Sequence, residues 1–141
     1  MCGIAGYWGE GNEEILNKMI DAVSYRGPDD KGILIKGSVG LAHRRLSILD
    51  LSLAGHQPMQ SEDGTVQIIF NGEIYNYKTL KSGLGQKYIF KSTTDTEVIL
   101  RLYEDFGEEV FQRLSGMFAM AIFDSKINKL YLKIKVLFIF Q

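Results

Sequence analysis

The sequence predicts an α+β domain built on antiparallel strands. Three observations predict it: short strand-like runs outnumber helices, only two helical stripes are present, and no repeat, low-complexity tract or linker interrupts the 141 residues. Taken in chain order, Ile4, Tyr7 and Trp8 open a strand. Ile15, Leu16, Met19, Ile20 and Val23 then recur at the spacing of one helix face. Arg26-Gly27-Pro28-Asp29-Asp30 has the composition of a turn. Residues 32–36 and 38–43 read as a strand pair, and residues 65–70 as a further strand. Val98, Ile99, Leu102, Tyr103 and Phe106 form the second helical stripe, with Thr94 and Glu97 at capping-box spacing at its start. Residues 116–123 are small and apolar enough to be buried on both faces of a sheet. Leu130 to Phe140 reads as one long strand, with Lys133 and Lys135 on one face and a continuous apolar run from Val136 to Phe140. Left unpaired, such a run is an adhesive edge, which makes a homodimer one of the expectations.

Composition narrows the function classes. With 45% apolar and 11% aromatic residues the chain can bury one sizeable core, in one domain. Sixteen basic residues against seventeen acidic ones leave a net charge of −1 with no run of like charges. Neither nucleic acid nor an anionic membrane is therefore an expected partner, while small molecules and other proteins are. The opening Met-Cys-Gly-Ile-Ala-Gly lacks the basic and apolar regions of a secretory signal, and no stretch reaches bilayer-spanning length. One unpaired cysteine fits a reducing, cytoplasmic setting.

That cysteine, Cys2, is also the first candidate for chemistry. Removal of Met1 would make it the terminal residue, putting a nucleophilic thiol and a candidate base, its own α-amine, on one residue. The plainer reading is a small apolar side chain in a core. Asn71-Gly72, between Val66–Phe70 and Glu73–Tyr77, looks like a two-residue hairpin turn; it equally suits a side-chain amide and a backbone N–H aimed together at an oxyanion. Arg44-Arg45 follows His43 at a strand end, where an arginine is either a solvated surface group or a fork for a carboxylate. Asp95 either complements a helix dipole or pairs with a substrate ammonium. His43 and His56 stand in no metal-ligand spacing, so both read as structural and no metal site is expected.

In order and spacing, several segments together resemble the glutaminase domain of glutamine-hydrolysing asparagine synthetases. They are Cys2-Gly3-Ile4-Ala5-Gly6, Arg26-Gly27-Pro28-Asp29, Leu41-Ala42-His43-Arg44-Arg45-Leu46-Ser47-Ile48, Gly55-His56-Gln57-Pro58-Met59, Phe70-Asn71-Gly72-Glu73-Ile74-Tyr75-Asn76 and Asp95-Thr96-Glu97-Val98-Ile99-Leu100. Other class II amidotransferases share the terminal Cys-Gly-Ile and the Asn-Gly, but the RGPD and HRRLSI stretches look more like asparagine synthetase. The resemblance implies the N-terminal-nucleophile hydrolase fold, a four-layer αββα sandwich of two antiparallel sheets. It also implies roles: Cys2 as nucleophile, Asn71 and Gly72 as oxyanion donors, Arg45 on the glutamine α-carboxylate, Asp95 and Glu73 on its α-ammonium. The backbone around Leu46 and Ile48 would line the pocket, with Arg26 in support near the nucleophile. Electrostatics agrees with this, because recognising a free zwitterion in a closed pocket takes one fixed cation and one fixed anion.

The resemblance covers residues 1–132, which are expected to form the glutaminase domain. Residues 133–141 depart from the family pattern as an atypical apolar tail, so the expected sandwich lacks its last strands. The chain has no Ser-Gly-Gly-x-Asp-Ser pyrophosphate loop, so no cofactor is expected in it. ATP and magnesium would belong to a separate synthetase domain or chain that receives the ammonia. The competing expectation is a non-catalytic remnant that binds glutamine or another protein.

Overall fold

Sheet order and helix placement follow from which faces are apolar. The computed structural model describes residues 1–48 and 50–136. β1 (Gly3–Trp8) is followed by α1 (Glu13–Asp21), whose N-terminus is capped by the Asn12 side chain accepting from Ile15 N–H at 2.9 Å. After a single 3₁₀ turn at Ser24–Arg26 come β2 (Asp30–Lys36) and β3 (Val39–Arg45). Gly37, at a φ of 59°, supplies the left-handed residue their tight hairpin needs. β3 is central, pairing antiparallel with both β1 and β2.

A second antiparallel sheet has the order β4 (Met59–Gln60), β5 (Val66–Ile74), β6 (Gly116–Asp124) and β7 (Lys129–Lys135). Between β5 and β6 the chain forms α2 (Tyr77–Gly83), α3 (Asp95–Phe106) and α4 (Val110–Arg113).

Three apolar clusters define four layers. Leu16 and Ile20 of α1 pack with Ala42 on the outer face of the first sheet. Val39 and Leu41 meet Ile69, Ala121 and Phe123 between the sheets. The largest cluster joins Ile68, Phe70, Phe118, Met120 and Ile122 to α3 through Val98, Ile99 and Leu102. The period of two along β5 and β6 sends alternate side chains into the last two clusters, which is why both strands are buried on both faces.

Five sequence expectations need correction. The α1 stripe is narrower than its periodicity suggests: Ile15 and Met19 are 45% and 37% exposed, because the helix has only one sheet to lie on. Phe106 is similarly half-exposed at the end of α3. The capping box is only half formed. Thr94 Oγ1 accepts from Glu97 N–H at 3.3 Å, but the Glu97 carboxylate takes the amides of Lys91 and Ser92 instead of that of Thr94. Most consequentially, Asn71-Gly72 is no hairpin turn, since β5 runs straight through it with Asn71 opposite Ala119 and Gly72 opposite Phe118. The predicted long last strand ends at Lys135, and residues 137–141 of the apolar tail lie outside the described residues.

Candidate functional site

A cavity of about 270 Å³ opens where β1 begins and β5 approaches its end. Cys2 lies on its wall, one residue before the β1–β3 ladder. Its Sγ accepts from the Leu46 amide at 3.4 Å, and its carbonyl accepts from Arg26 Nε at 3.0 Å. Arg26 itself does not line the cavity, so it acts on the space only by fixing the backbone of Cys2. Met1 also lines the cavity, and while it is attached the nitrogen of Cys2 is a peptide amide.

The opposite wall is the outer edge of β5. Tyr75 N–H donates to Ser115 O at 2.7 Å across to the chain leading into β6. With strand periodicity, the amides of residues 70, 72 and 74 therefore point the other way, to the side where β4 would continue. β4 stops pairing at Met59, opposite Ile68. Side chains take over along this edge. Phe70 N–H donates to Gln57 Oε1 at 2.6 Å, and Ile74 N–H donates to Asp95 Oδ2 at 3.0 Å. Between these two satisfied amides lies that of Gly72, with the cavity in front of it. Gly72 has a φ of 152°, and a Cβ at this position would run into the Met117 carbonyl and the Phe118 backbone. The Asn71 side chain also lines the cavity and has no hydrogen-bond partner among the described residues.

Charges stand at two corners. Arg45 is 6% exposed, with one guanidinium nitrogen donating to Ser52 O at 2.7 Å and the other to Asp50 O. Its other donors remain for something in the cavity. Gly55 packs flat against it, where any Cβ would overlap the guanidinium. At the second corner, Asp95 begins α3 and is buried, while Glu73 is exposed at the rim. Burial pushes the Asp95 carboxyl above its ordinary range against the pull of three backbone amides, and the like charge of Glu73 adds to the rise. Neither carboxylate has a lysine or arginine partner among the described residues. Leu46 and Ile48 complete the wall between the corners.

The structure thus brings Cys2, Arg45, Leu46, Ile48, Asn71, Gly72, Glu73 and Asp95 to one cavity. His43 does not line the cavity. It lies buried between the sheets with Nε2 3.1 Å from Phe70 O, and burial lowers its imidazolium to about 4, so the neutral ring donates. His56 pairs with Asp30 at 2.7 Å, away from the cavity wall. No group of side chains suited to a metal ion is found among the described residues. Sequence reasoning gave no role to Gln57, which also donates from Nε2 to Thr96 Oγ1 at 3.2 Å and so ties β5 to α3. Its one local signal was its place beside Pro58 in a segment already noted.

Comparison with known proteins gives a consistent result. A family model described as a glutamine amidotransferase domain matches residues 1–134. The glutamine-hydrolysing asparagine synthetase 2 of Bacillus subtilis is 48% identical over 139 residues, covering 94% of this chain and 18% of its own. Asparagine synthetase B of Escherichia coli is 40% identical over 131 residues, covering 89% of this chain and 24% of its own. The chain therefore spans about a fifth to a quarter of these relatives' length. Among solved structures, the glutamine phosphoribosylpyrophosphate amidotransferase of B. subtilis, complexed with ADP and GMP, superposes with a TM-score of 0.75. That match is 21% identical and covers 86% of this chain and 35% of the other. With the layers described above, it identifies the fold as the N-terminal-nucleophile hydrolase sandwich.

Proposed function

The chain belongs to the glutamine amidotransferase domain family, and on that premise we propose that its cavity hydrolyses the side-chain amide of free glutamine to glutamate and ammonia. The observation that carries the reading is the Gly72 amide, unclaimed by the ladder and facing the same cavity as Cys2.

Loss of Met1 frees the α-amine of Cys2. The amine takes the thiol proton, directly or through a water, and the sulfur attacks the amide carbon. The carbonyl π electrons move onto oxygen, and the oxyanion is held by Gly72 N–H and the Asn71 amide, each such donor stabilising the transition state by about 3 kcal/mol. Collapse breaks the C–N bond, the proton on the α-amine leaves with ammonia, and a thioester remains. Water then opens the thioester, releasing glutamate and restoring the thiol. Arg45 holds the α-carboxylate, Asp95 and Glu73 hold the α-ammonium, and Leu46 and Ile48 line the path between. Burial of Asp95 without a cation suits that role, since an incoming ammonium supplies the missing charge.

The ammonia would pass to an ATP-dependent synthetase-type domain, in a longer protein or on another chain, and ATP and magnesium belong there. A cytoplasmic setting fits the single unpaired cysteine; among the described residues no helix is long and apolar enough to cross a membrane.

The test is terminal mass analysis combined with a glutamate-release assay. Expected are removal of Met1 and turnover abolished by Cys2→Ala. A processed terminus without turnover would instead favour a non-catalytic remnant.

A further inference from the structure

We propose that Asp50 is a positioning residue for this reaction, a strut that holds the cationic and anionic corners of the cavity at the separation a free α-amino acid requires. This rests on the proposed reading of Arg45 and Asp95. One oxygen of the Asp50 carboxylate, Oδ1, accepts from Ser52 N–H at 2.8 Å and Ser52 Oγ at 2.6 Å. That closes the short turn whose two carbonyls, of Asp50 and Ser52, grip the Arg45 guanidinium. The other oxygen, Oδ2, accepts from Thr93 N–H at 3.0 Å and Thr93 Oγ1 at 3.3 Å. Thr93 directly precedes Thr94, the N-cap of α3, and Asp95, its first residue. A single carboxylate therefore joins two segments 43 positions apart in sequence, each carrying one charged corner.

The carboxylate is suited to this work. Its partners are two hydroxyls and two amides, and it forms no ion pair among the described residues, unlike Asp21, Asp63 and Asp105. The Ser52 hydroxyl first, then the Thr93 and Ser52 amides, hold it well below the ordinary carboxylate range, so it stays ionised at any working pH. A neutral amide in its place could accept at one end only, and would set a donor against the donors of Thr93.

Asp50→Asn is therefore expected to loosen recognition of the substrate's charged end without touching the sulfur. The test compares alkylation of Cys2 in the full chain by two reagents, read by mass spectrometry under sub-saturating conditions. One is a diazomethyl ketone analogue of glutamine, which carries the α-ammonium and α-carboxylate; the other is iodoacetamide, which carries neither. Asp50→Asn should slow the first by about tenfold, the size expected for losing hydrogen bonds to a charged group, and leave the second within about twofold. Glutamate release should show the same split, with KM raised and kcat retained. Thr93→Val, a milder change, should act in the same direction by about threefold. Equal slowing of both reagents would mean that Asp50 only supports the fold, and no slowing of either would mean that it positions nothing; both outcomes overturn the strut. If the unaltered chain shows no preference for the glutamine analogue, the glutamine reading itself fails and the strut with it. A preference that survives Asp50→Asn sinks the strut alone.

Discussion

Two cavities among the described residues differ in character, and the one of larger volume is the less promising. The second, about 450 Å³, is lined by Asp63, Tyr103, Glu104, Asp124 and Lys126, among others, where α3 ends beside the β6–β7 turn. Four of its charged side chains, Asp63, Glu104, Asp124 and Lys126, are matched within the protein. Lys126 pairs with Asp63 at 2.8 Å, Tyr103 donates to Asp124 at 3.1 Å, and Arg101 donates to Glu104 at 3.0 Å. Burial, with Asp124 next, pushes the Tyr103 phenol up, so it remains a neutral donor there. The cavity beside Cys2, about 270 Å³, has the opposite character. The Asn71 side chain and the Gly72 N–H face it without hydrogen-bond partners among the described residues, and Asp95 and Glu73 stand there without a lysine or arginine partner. Volume measures room, whereas unmatched groups measure what a ligand would gain by entering.

The sharpest way to break this comparison is to remove an unmatched group. Asn71→Ala should lower kcat for glutamine hydrolysis by about a hundredfold or more while leaving KM within about threefold. A loss confined to KM would remove Asn71 from the oxyanion site. Arg45→Ala should do the reverse, raising KM by about ten- to a hundredfold with much less change in kcat. Equal loss in both parameters would make Arg45 a structural residue.

A smaller effect concerns His43, which fixes the Phe70 carbonyl just before the oxyanion donors. Its folded-state value of about 4 lies below the ordinary 6.5, so between those values the unfolded chain binds the extra proton. Stability should thus be full above about pH 6.5 and fall by up to about 3 kcal/mol as the pH drops toward 4. Denaturant titrations across that window should show a flatter slope for His43→Gln, which keeps a donor without the titration. The least effect is expected in the larger cavity, where Lys126→Ala should leave glutamine kinetics within about twofold. A large kinetic change there would undo the contrast between the cavities.

Much of the site was legible because its residues are carried by short segments whose order survives without knowledge of the fold. Arg45 ends β3, Asp95 begins α3 and Cys2 directly precedes β1, while Asn71-Gly72 lies inside β5, and the strands that bring them together were visible from their alternation. The misreading of Asn71-Gly72 has a physical cause. Turn preference is local, whereas the nine-residue pairing of β5 with β6 spans some fifty residues and outweighs it. Asp50 and Gln57 went unassigned for a related reason. Each acts through contacts to residues 93 and 96, or 70, and nothing local to either residue announces those partners.

β4 is two residues long, and that brevity reaches further than its size. Had β4 continued past Met59, the neighbouring strand could zip onward along β5 and seal the amide of Gly72 into an ordinary rung. A strand end that contacts no reacting atom thus decides whether this edge is architecture or reagent. Chemistry here begins where the hydrogen-bond ladder is left unfinished.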